Sequence, residues 1–198
     1  MKTLAAMILP LSLALGACAS TRPAAAPAEE FLARLHALCG QAFGGRIVAN
    51  EPVSAAPDPF EGKALVMHVR DCAARETRVP FHVGDDRSRT WVLTRTGAGL
   101  RLKHDHRHAD GSADAVTMYG GDSEGPGSVT RQQFPVDAES VALFQREGLS
   151  ASVTNTWAME ILPGDRFAYE LTRPGRRFRV EFDLRRPLSP PPPPWGSD

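Results

Sequence analysis

The stretch FRVEFDL at residues 178–184 decides the fold class, because apolar and charged side chains alternate along its whole length. Such a period of two is typical of a strand that buries one face and leaves the other in water. The same period recurs along most of the chain, at residues 65–70, 77–83, 89–96, 100–108, 113–119, 128–136, 153–161 and 167–171. Strands this closely spaced, joined mostly by short turns, predict an antiparallel meander.

The predicted fold class is mainly β, with a meander of about 8–10 strands that closes into a barrel, because closure removes the exposed sheet edges. In architecture the pattern resembles the calycin-like barrels, which are the lipocalins and their relatives. The Gly-x-Trp signature of the lipocalins is absent, since Trp91 lies too far along the chain to belong to one. A β-sandwich is the alternative, because periodicity alone does not distinguish the two folds.

Two stretches carry a helical period instead. Over Glu29–Phe43 the apolar residues recur at i, i+3 and i+4, and the glycines at 44–45 would end the helix. A short inserted helix is predicted over Ala138–Glu147, with Asp137 as its N-cap. The barrel is therefore expected to carry an N-terminal helix and one inserted helix.

The charge of the chain is balanced, with 23 Lys and Arg against 23 Asp and Glu among 198 residues. A nucleic-acid-binding domain would carry a net basic face, so nucleic acid is not expected as a partner. Apolar residues make up 42% of the chain, which is enough to build a core and argues against a disordered protein.

The first 18 residues have the order of a secretory signal, with Lys2, an apolar run over Leu4–Leu15 and then LGAC at residues 15–18. This ending resembles the lipobox of bacterial lipoproteins. In that family the signal peptide is removed before the cysteine, whose thiol carries a diacylglyceryl group and whose new amine is acylated, commonly with palmitate. The resemblance implies that Cys18 is lipidated and holds the protein on a membrane. The alternative is an ordinary secretory signal with a nearby cysteine.

The same resemblance implies a location and a domain organisation. Ala19 follows the cysteine where an aspartate would retain the protein at the inner membrane, so the outer membrane, facing the periplasm, is favoured. The expected segments are a signal peptide at 1–17, a lipidated tether at 18–28, a single β-rich globular domain at 29–186 and a Pro-rich tail at 187–198. The tail is either a solvated extension or a docking peptide for another envelope protein.

Two cysteines, Cys39 and Cys72, remain after the lipidated one. The compartment beyond the inner membrane is oxidising, so they are expected to form a disulfide bond, with two free buried thiols as the alternative. A turn near residues 73–75 would pair Met67 with Phe81 and put Cys72 at a strand end. The first helix must then pack close to that strand end.

Three histidines, His104, His106 and His108, share one face of a predicted strand. Leu100 and Leu102 precede them on that face, which is typical of a strand that runs from the core to a polar mouth. Three neutral imidazoles could bind Zn²⁺ or Cu²⁺ as a cofactor. Because three same-face positions span about 13 Å, a further ligand would have to come from elsewhere. The alternatives are a solvated hairpin end and a polar wall of a ligand-binding cavity.

A charged turn between two predicted strands carries Arg87 and Arg89, close to Trp91. These three residues are candidates for ligand binding, with the two guanidinium groups forming an anion site. The alternative is a solvated turn stabilised by local Asp–Arg pairs.

The region between residues 82 and 121, which includes HVGDDRSRTW, LRLKHDHRH and MYGG, resembles a family of uncharacterised secreted proteobacterial proteins. That family transfers no catalytic residue, because no activity is attached to it. The sequence GDSEG at 121–125 matches the G-x-S-x-G pattern of hydrolases but lacks the preceding strand and following helix. We expect it to belong to a Gly-rich loop over the barrel mouth.

The sequence therefore favours a non-enzymatic, lipid-anchored protein of the bacterial cell envelope, with a barrel that binds a small or lipidic ligand or has a structural role. One alternative is a metal-binding protein or metal-dependent enzyme that uses the cluster of His104, His106 and His108. A second alternative is an envelope assembly factor that docks on a partner through the Pro-rich tail.

Overall fold

A computed structural model describes residues 26–53 and 58–197 of the chain. The described part is mainly β, and its elements in chain order are α1 (Pro27–His36), β1 (Ala42–Glu51), β2 (Leu65–His68), β3 (Asp71–Cys72), β4 (Glu76–Val83), β5 (Asp86–Arg95), β6 (Leu100–His106), β7 (Tyr119–Asp122), β8 (Arg131–Pro135), α2 (Ala138–Arg146), the 3-10 helix η1 (Ser150–Thr154), β9 (Thr156–Leu162), β10 (Arg166–Arg173) and β11 (Arg176–Leu188). The predicted signal peptide and Cys18 lie outside the described residues. Within those ranges, none of the helices has the length and apolar character needed to cross a bilayer.

The strands form one antiparallel sheet in the order β7-β6-β5-β4-β2-β1-β11-β10-β9-β8, with β3 beside β4 off this path. β1 pairs with both β2 and β11, so the first and last strands lie side by side in the middle of the sheet. The sheet curls until β7 and β8 approach each other, which makes a nearly closed barrel. The predicted mainly β barrel is thus confirmed over the sandwich alternative.

Fewer hydrogen bonds join β7 to β8, across the seam of the barrel, than join the other neighbouring strands. The Asp137 N–H donates to the Gly120 carbonyl at 2.8 Å, and the Glu124 N–H donates to the Gln133 carbonyl at 2.8 Å. Lys103, on β6, reaches across the seam to the Asp137 carboxylate at 2.8 Å. This ion pair ties the start of α2 to the β6–β7 side of the barrel.

Two glycines of β7 allow the close approach of its neighbours, Gly120 toward β6 and Gly121 across the seam toward β8. A Cβ on Gly120 would lie 1.9 Å from the Leu102 carbonyl oxygen, and a Cβ on Gly121 would lie 1.8 Å from the Pro135 carbonyl oxygen. Both neighbours are backbone atoms, which cannot move aside without displacing a strand.

We expect Gly121→Ala to lower the free energy of unfolding by about 1–3 kcal/mol, because β7 and β8 must separate to accept the methyl group. Equilibrium unfolding in urea measures the change. Gly97→Ala is the matched control, since a Cβ at Gly97 would meet nothing within 4 Å. Equal stability of the two variants would show that the seam does not need the glycine.

α1 closes one end of the barrel, which we call the base. Its Phe31, Leu32 and Leu35 side chains are fully buried, and the helix packs against β8 and β9. The His36 Nε2 atom lies 2.7 Å from the Thr77 hydroxyl oxygen, so the last turn of α1 is fixed to β4. The apolar face of the helix therefore completes the core that the strands leave open at the base.

The N-terminal helix is shorter than predicted, because it ends at His36 and not at Phe43. Gly40 has a φ of +80°, a conformation that turns the chain out of the helix and into β1. Gly45 lies inside β1, where a Cβ would come within 2.6 Å of the Phe182 ring. Phe43 is buried in the strand as it would have been in the helix, so its apolar character did not distinguish the two.

The predicted disulfide bond between Cys39 and Cys72 is present, with the two Cα atoms 6.3 Å apart. The expected pairing of Met67 with Phe81 across β2 and β4 is also confirmed. The bond joins the segment after α1 to the short strand β3 and closes a loop across a sequence separation of 33. In the chain-entropy account, a loop of this size contributes about 3–4 kcal/mol to stability.

The end of the Pro-rich tail contacts the barrel, although most residues from 187 to 197 are exposed. The Trp195 N–H donates to the Arg87 carbonyl at 3.1 Å, and the Arg87 guanidinium donates to the Pro193 carbonyl at 3.0 Å. Pro194 is buried at this contact. β11 continues to Leu188, so the first two residues of the predicted tail belong to this strand.

The stretch between β6 and β8 differs from its prediction. Ala113 forms an isolated antiparallel bridge with Arg107, bends follow at residues 115, 116 and 118, and the returning strand β7 begins only at Tyr119. The Gly-rich stretch expected over the mouth belongs to the seam, and its Ser123 hydroxyl accepts the Leu100 N–H at 3.1 Å, at the base end of β6. Gly120 and Gly121 serve the close packing of β7, whereas Gly125 and Gly127 lie in the loop between β7 and β8.

Candidate ligand-binding cavity

A cavity of about 420 Å³ opens at the end of the barrel opposite α1, which we call the mouth. Eight aromatic side chains contribute to its wall: Phe60, Phe81, Trp91, Tyr119, Phe144, Trp157, Tyr169 and Phe178. Polar side chains also line it: Arg89, Thr90, His104, His106, Asp114, Ser152, Asn155, Arg173 and Arg176. Small ligands bind in concave sites of this kind, which combine a largely apolar wall with a few fixed polar groups.

The pairing of β4, β5 and β6 arranges the inward-facing side chains in rows from base to mouth. The base row is Thr77, Leu93 and Leu102, the middle row is Val79, Trp91 and His104, and the mouth row is Phe81, Arg89 and His106. The polarity of the interior therefore rises toward the mouth. The sequence prediction that this face of β6 runs from the core to a polar mouth is confirmed.

The segment between β8 and β9 covers one side of the mouth. Asp137 caps α2 as predicted, since its carboxylate accepts the Ser140 N–H at 2.8 Å. Phe144 from α2, Ser152 from η1 and Asn155 just before β9 all reach the cavity. Their placement adds one wall that the sheet itself does not provide.

Trp91 and Trp157 anchor the two sides of the aromatic wall. The Trp91 ring centroid lies 4.5 Å from that of Tyr169 and 4.9 Å from that of Phe81. The Trp157 centroid lies 5.0 Å from that of His104 and 5.7 Å from that of Tyr119. Such closely packed rings hold each other in place and present flat, apolar surfaces to the cavity.

His104 is a buried, neutral imidazole with both ring nitrogens in hydrogen bonds. Its Nδ1 lies 3.1 Å from the Tyr119 carbonyl oxygen, and its Nε2 lies 2.9 Å from the Tyr169 hydroxyl. Burial, reinforced by nearby His106, lowers the pKa of His104 to about 3. Because a carbonyl only accepts, the proton of the neutral ring must be on Nδ1. The Tyr169 hydroxyl therefore donates to Nε2.

His106 is also neutral at neutral pH, although it lies closer to the mouth. Burial, followed by the nearby Arg89 guanidinium, lowers its pKa to about 4. Its Nε2 lies 3.1 Å from the Tyr119 hydroxyl, whose own pKa burial raises to about 12. The imidazoles and phenols therefore give the cavity hydrogen-bonding capacity without charge.

The charged groups of the cavity lie at the mouth. Arg89 is paired with Asp86 at 2.6 Å, and its guanidinium carbon lies 5.3 Å from the Phe60 ring centroid. Arg173 donates to the Asn155 side-chain oxygen at 3.2 Å, and Arg176 donates to a backbone carbonyl at 3.0 Å. In the described part of the chain, Arg173 and Arg176 have no carboxylate within ion-pairing distance.

The structure brings together some of the residues that the sequence singled out and separates others. Arg89 and Trp91, two of the predicted ligand-binding residues, line the cavity. Arg87, the third, lies outside the cavity lining and binds the Pro-rich tail. His104 and His106 line the cavity, whereas His108 is exposed beyond the end of β6.

The predicted metal site is not assembled around these histidines. Residues 26–53 and 58–197 contain no group of three His, Cys, Asp or Glu side chains that could hold an ion together. Both nitrogens of His104 are engaged by tyrosines. Asp105, a conceivable extra ligand, is bound by Arg78 at 2.6 Å and Arg107 at 2.8 Å. A Zn²⁺ or Cu²⁺ ion at His104 and His106 stays a prediction from the sequence alone.

Several cavity residues carried no local signal in the sequence. Tyr169 and Trp157 lie in alternating stretches, so their inward direction could be predicted but not their meeting with His104. Arg173 and Arg176 flank a turn between two strands, where charged residues are ordinary. Only the closure of the barrel brings them to the same opening as Arg89.

Comparisons with models of protein families, with curated proteins and with solved structures find no match to this chain. The functional argument therefore rests on the cavity and the sequence.

The buried histidines predict a pH dependence of stability. The unfolded chain takes up a proton on each imidazole near the ordinary pKa of 6.5, whereas folded His106 does so only near 4. The free energy of unfolding is therefore unaffected by these histidines above about pH 6.5, and it falls as the pH drops from there toward the pKa of folded His106. The slope contributed by one histidine is up to about 1.4 kcal/mol per pH unit.

We expect His106→Gln to make the free energy of unfolding less dependent on pH between about pH 6.5 and pH 4 than in the wild type. Urea unfolding at a series of pH values measures the slope. His108→Gln is the matched control, because His108 is exposed. If both variants keep the wild-type slope, the burial of a neutral His106 is not what limits stability in acid.

Proposed function

We propose that this protein is a lipid-anchored binding protein of the bacterial cell envelope, which holds a small, largely apolar ligand inside its barrel. The observation that carries the proposal is the cavity of about 420 Å³ with an aromatic wall, open at the mouth and closed by α1 at the base. A barrel with one closed end and one open end can shield a ligand from water and still exchange it.

The interior chemistry supports a binding role. Burying apolar ligand surface against the aromatic wall is favourable at roughly 25 cal/mol per Å². The neutral pair of His104 and Tyr169 already satisfies its own hydrogen bonds, so it offers no free charge that an apolar ligand would have to desolvate. His106 and Tyr119 can orient a polar group of the ligand nearer the mouth.

The proposed location follows from the lipobox resemblance of residues 15–18. α1 begins at Pro27, and Glu29 in its first turn is paired at 2.7 Å with Arg95, at the base end of β5. The chain that would lead to the lipidated Cys18 therefore enters the barrel at the base. In this arrangement the mouth is at the end of the barrel away from the point of attachment.

The two other functions predicted from the sequence have less support. A metal function would need His104 to give up a tyrosine or backbone hydrogen bond. An assembly function through the Pro-rich tail would need the tail to leave its contacts with Arg87.

A neutral fluorescent ligand tests the proposal. We expect N-phenyl-1-naphthylamine, which has two flat apolar ring systems, to bind the folded protein saturably with one site per chain. Val116→Trp, which fills the cavity from its lining, should weaken binding at least about tenfold, a loss of about 1.4 kcal/mol.

Val129→Trp is the matched control, because Val129 is exposed and outside the cavity lining. Circular dichroism and thermal unfolding of both variants establish that they are folded. Absence of saturable binding to the wild type, or equal binding to the two tryptophan variants, would overturn the proposal.

A further inference from the structure

We infer that the ligand carries an anionic group, which binds between Arg173 and Arg176 at the mouth while its apolar body lies inward among the aromatic rings. This inference rests on the proposed function and names the class of ligand, an amphipathic anion. The anionic group is a carboxylate, sulfonate or phosphate, since a guanidinium recognises the oxygens of all three.

The pairing of the two arginines is the first support. Arg173 ends β10 and Arg176 begins β11, and the two residues are direct cross-strand partners in the hairpin. Like charges directly opposite each other on neighbouring strands are destabilising. Arg173 donates to the Asn155 side-chain oxygen, and Arg176 donates to backbone carbonyls and lies 5.7 Å from the Phe178 ring centroid. In the described ranges, however, neither guanidinium has a carboxylate partner that would neutralise its charge. An anion bound between the two arginines would offset the cost of their like charges.

The arginines around Glu170, unlike Arg173 and Arg176, have a carboxylate partner. This single carboxylate, on β10, is within ion-pairing distance of Arg131 at 2.7 Å, Arg177 at 3.1 Å and Arg179 at 3.5 Å. The outer face of the same strands thus supplies acidic partners for its arginines. At the cavity mouth, the same hairpin leaves a pair of arginines for an anion from outside the chain.

The charge balance of the cavity also favours an anionic ligand. Its lining contains three arginines and one carboxylate, Asp114. Arg89 is already neutralised by Asp86 at 2.6 Å, and an Asp114 oxygen accepts the Val116 N–H at 2.7 Å. The imidazoles nearby are uncharged at neutral pH, so these three arginines against Asp86 and Asp114 leave an excess of one positive charge. The two arginines without a carboxylate partner are Arg173 and Arg176.

The position of the pair also sets the orientation of the ligand. Leu171 and Phe178, which line the cavity, are cross-strand partners one step further inward on the same two strands. A ligand held at the arginines therefore points its apolar part past these side chains toward Trp157 and Tyr169. The charged end stays at the mouth, where water completes its solvation.

Two probes that differ by one anionic group test the inference. 8-Anilinonaphthalene-1-sulfonate has the ring systems of N-phenyl-1-naphthylamine plus a sulfonate. We expect the wild-type protein to bind the sulfonate at least about tenfold more tightly than the neutral compound, with an affinity that decreases as salt is added.

The double variant Arg173→Gln, Arg176→Gln should lose at least about tenfold in affinity for the sulfonate and keep its affinity for the neutral probe. The matched control is Arg46→Gln, Arg185→Gln, which removes two exposed charges whose side chains are 79% and 65% accessible. This control should bind both probes as the wild type does.

The two proposals fail in different ways. If the neutral probe binds inside the barrel but the sulfonate gains nothing, or loses nothing in the Arg173→Gln, Arg176→Gln variant, the anion inference is overturned and the proposed function stands. An equal loss in the control pair would also overturn it, because the effect would then be one of net charge. If neither probe binds, the proposed function itself fails.

Discussion

The pairing register of β4, β5 and β6 is the constraint on which the rest of the molecule depends. It places Trp91 and His104 opposite each other with their side chains inside the barrel. A slip of one residue would reverse every side chain. The charged neighbours Lys103 and Asp105 would then point inward, where they have no partners. In the observed register Lys103 instead secures the seam, and Asp105 is held by arginines outside.

This register also separates two kinds of polar group. Ion pairs such as those of Glu170 and Glu160 lie on the outer face, where water and opposite charges share the cost of the charge. Inside the barrel the polar groups are neutral, because burial in a low-dielectric interior disfavours charge. His104 between the Tyr119 carbonyl and the Tyr169 hydroxyl shows how such a group is satisfied without a counter-ion. Arg173 and Arg176 at the mouth belong to neither kind, because they are charged, line the cavity and have no carboxylate partner in the described residues.

The sequence predicted what depends on neighbouring residues. The strand period identified most strands, the Asp137 cap predicted the start of α2, and the alternation of β6 showed that His104 shares a face with Leu102. The prediction from sequence was wrong where apolar character alone does not distinguish a helix from a strand. Phe43 suits a helix or a strand, and only the tight fit of Gly45 against Phe182 shows why β1 forms there.

Residues that meet through closure of the barrel could not be predicted. Arg173 and Arg176 look like ordinary turn residues, and their place at the mouth requires β10 and β11 to curve around to face β5. The same holds for Tyr169, whose hydroxyl meets His104 from a strand 65 positions away. The Pro-rich tail is similar, because its composition suits solvent, and only its contacts with Arg87 reveal a fixed position.

The central claim is that the interior of the barrel, and not its outer face, holds the ligand. The most direct measurement is the set of intermolecular nuclear Overhauser effects between bound N-phenyl-1-naphthylamine and the protein side chains. The structure predicts contacts from the probe to ring protons of Trp91, Tyr119 and Trp157, which line the cavity. Contacts confined to side chains on the outer face of the barrel would contradict the claim.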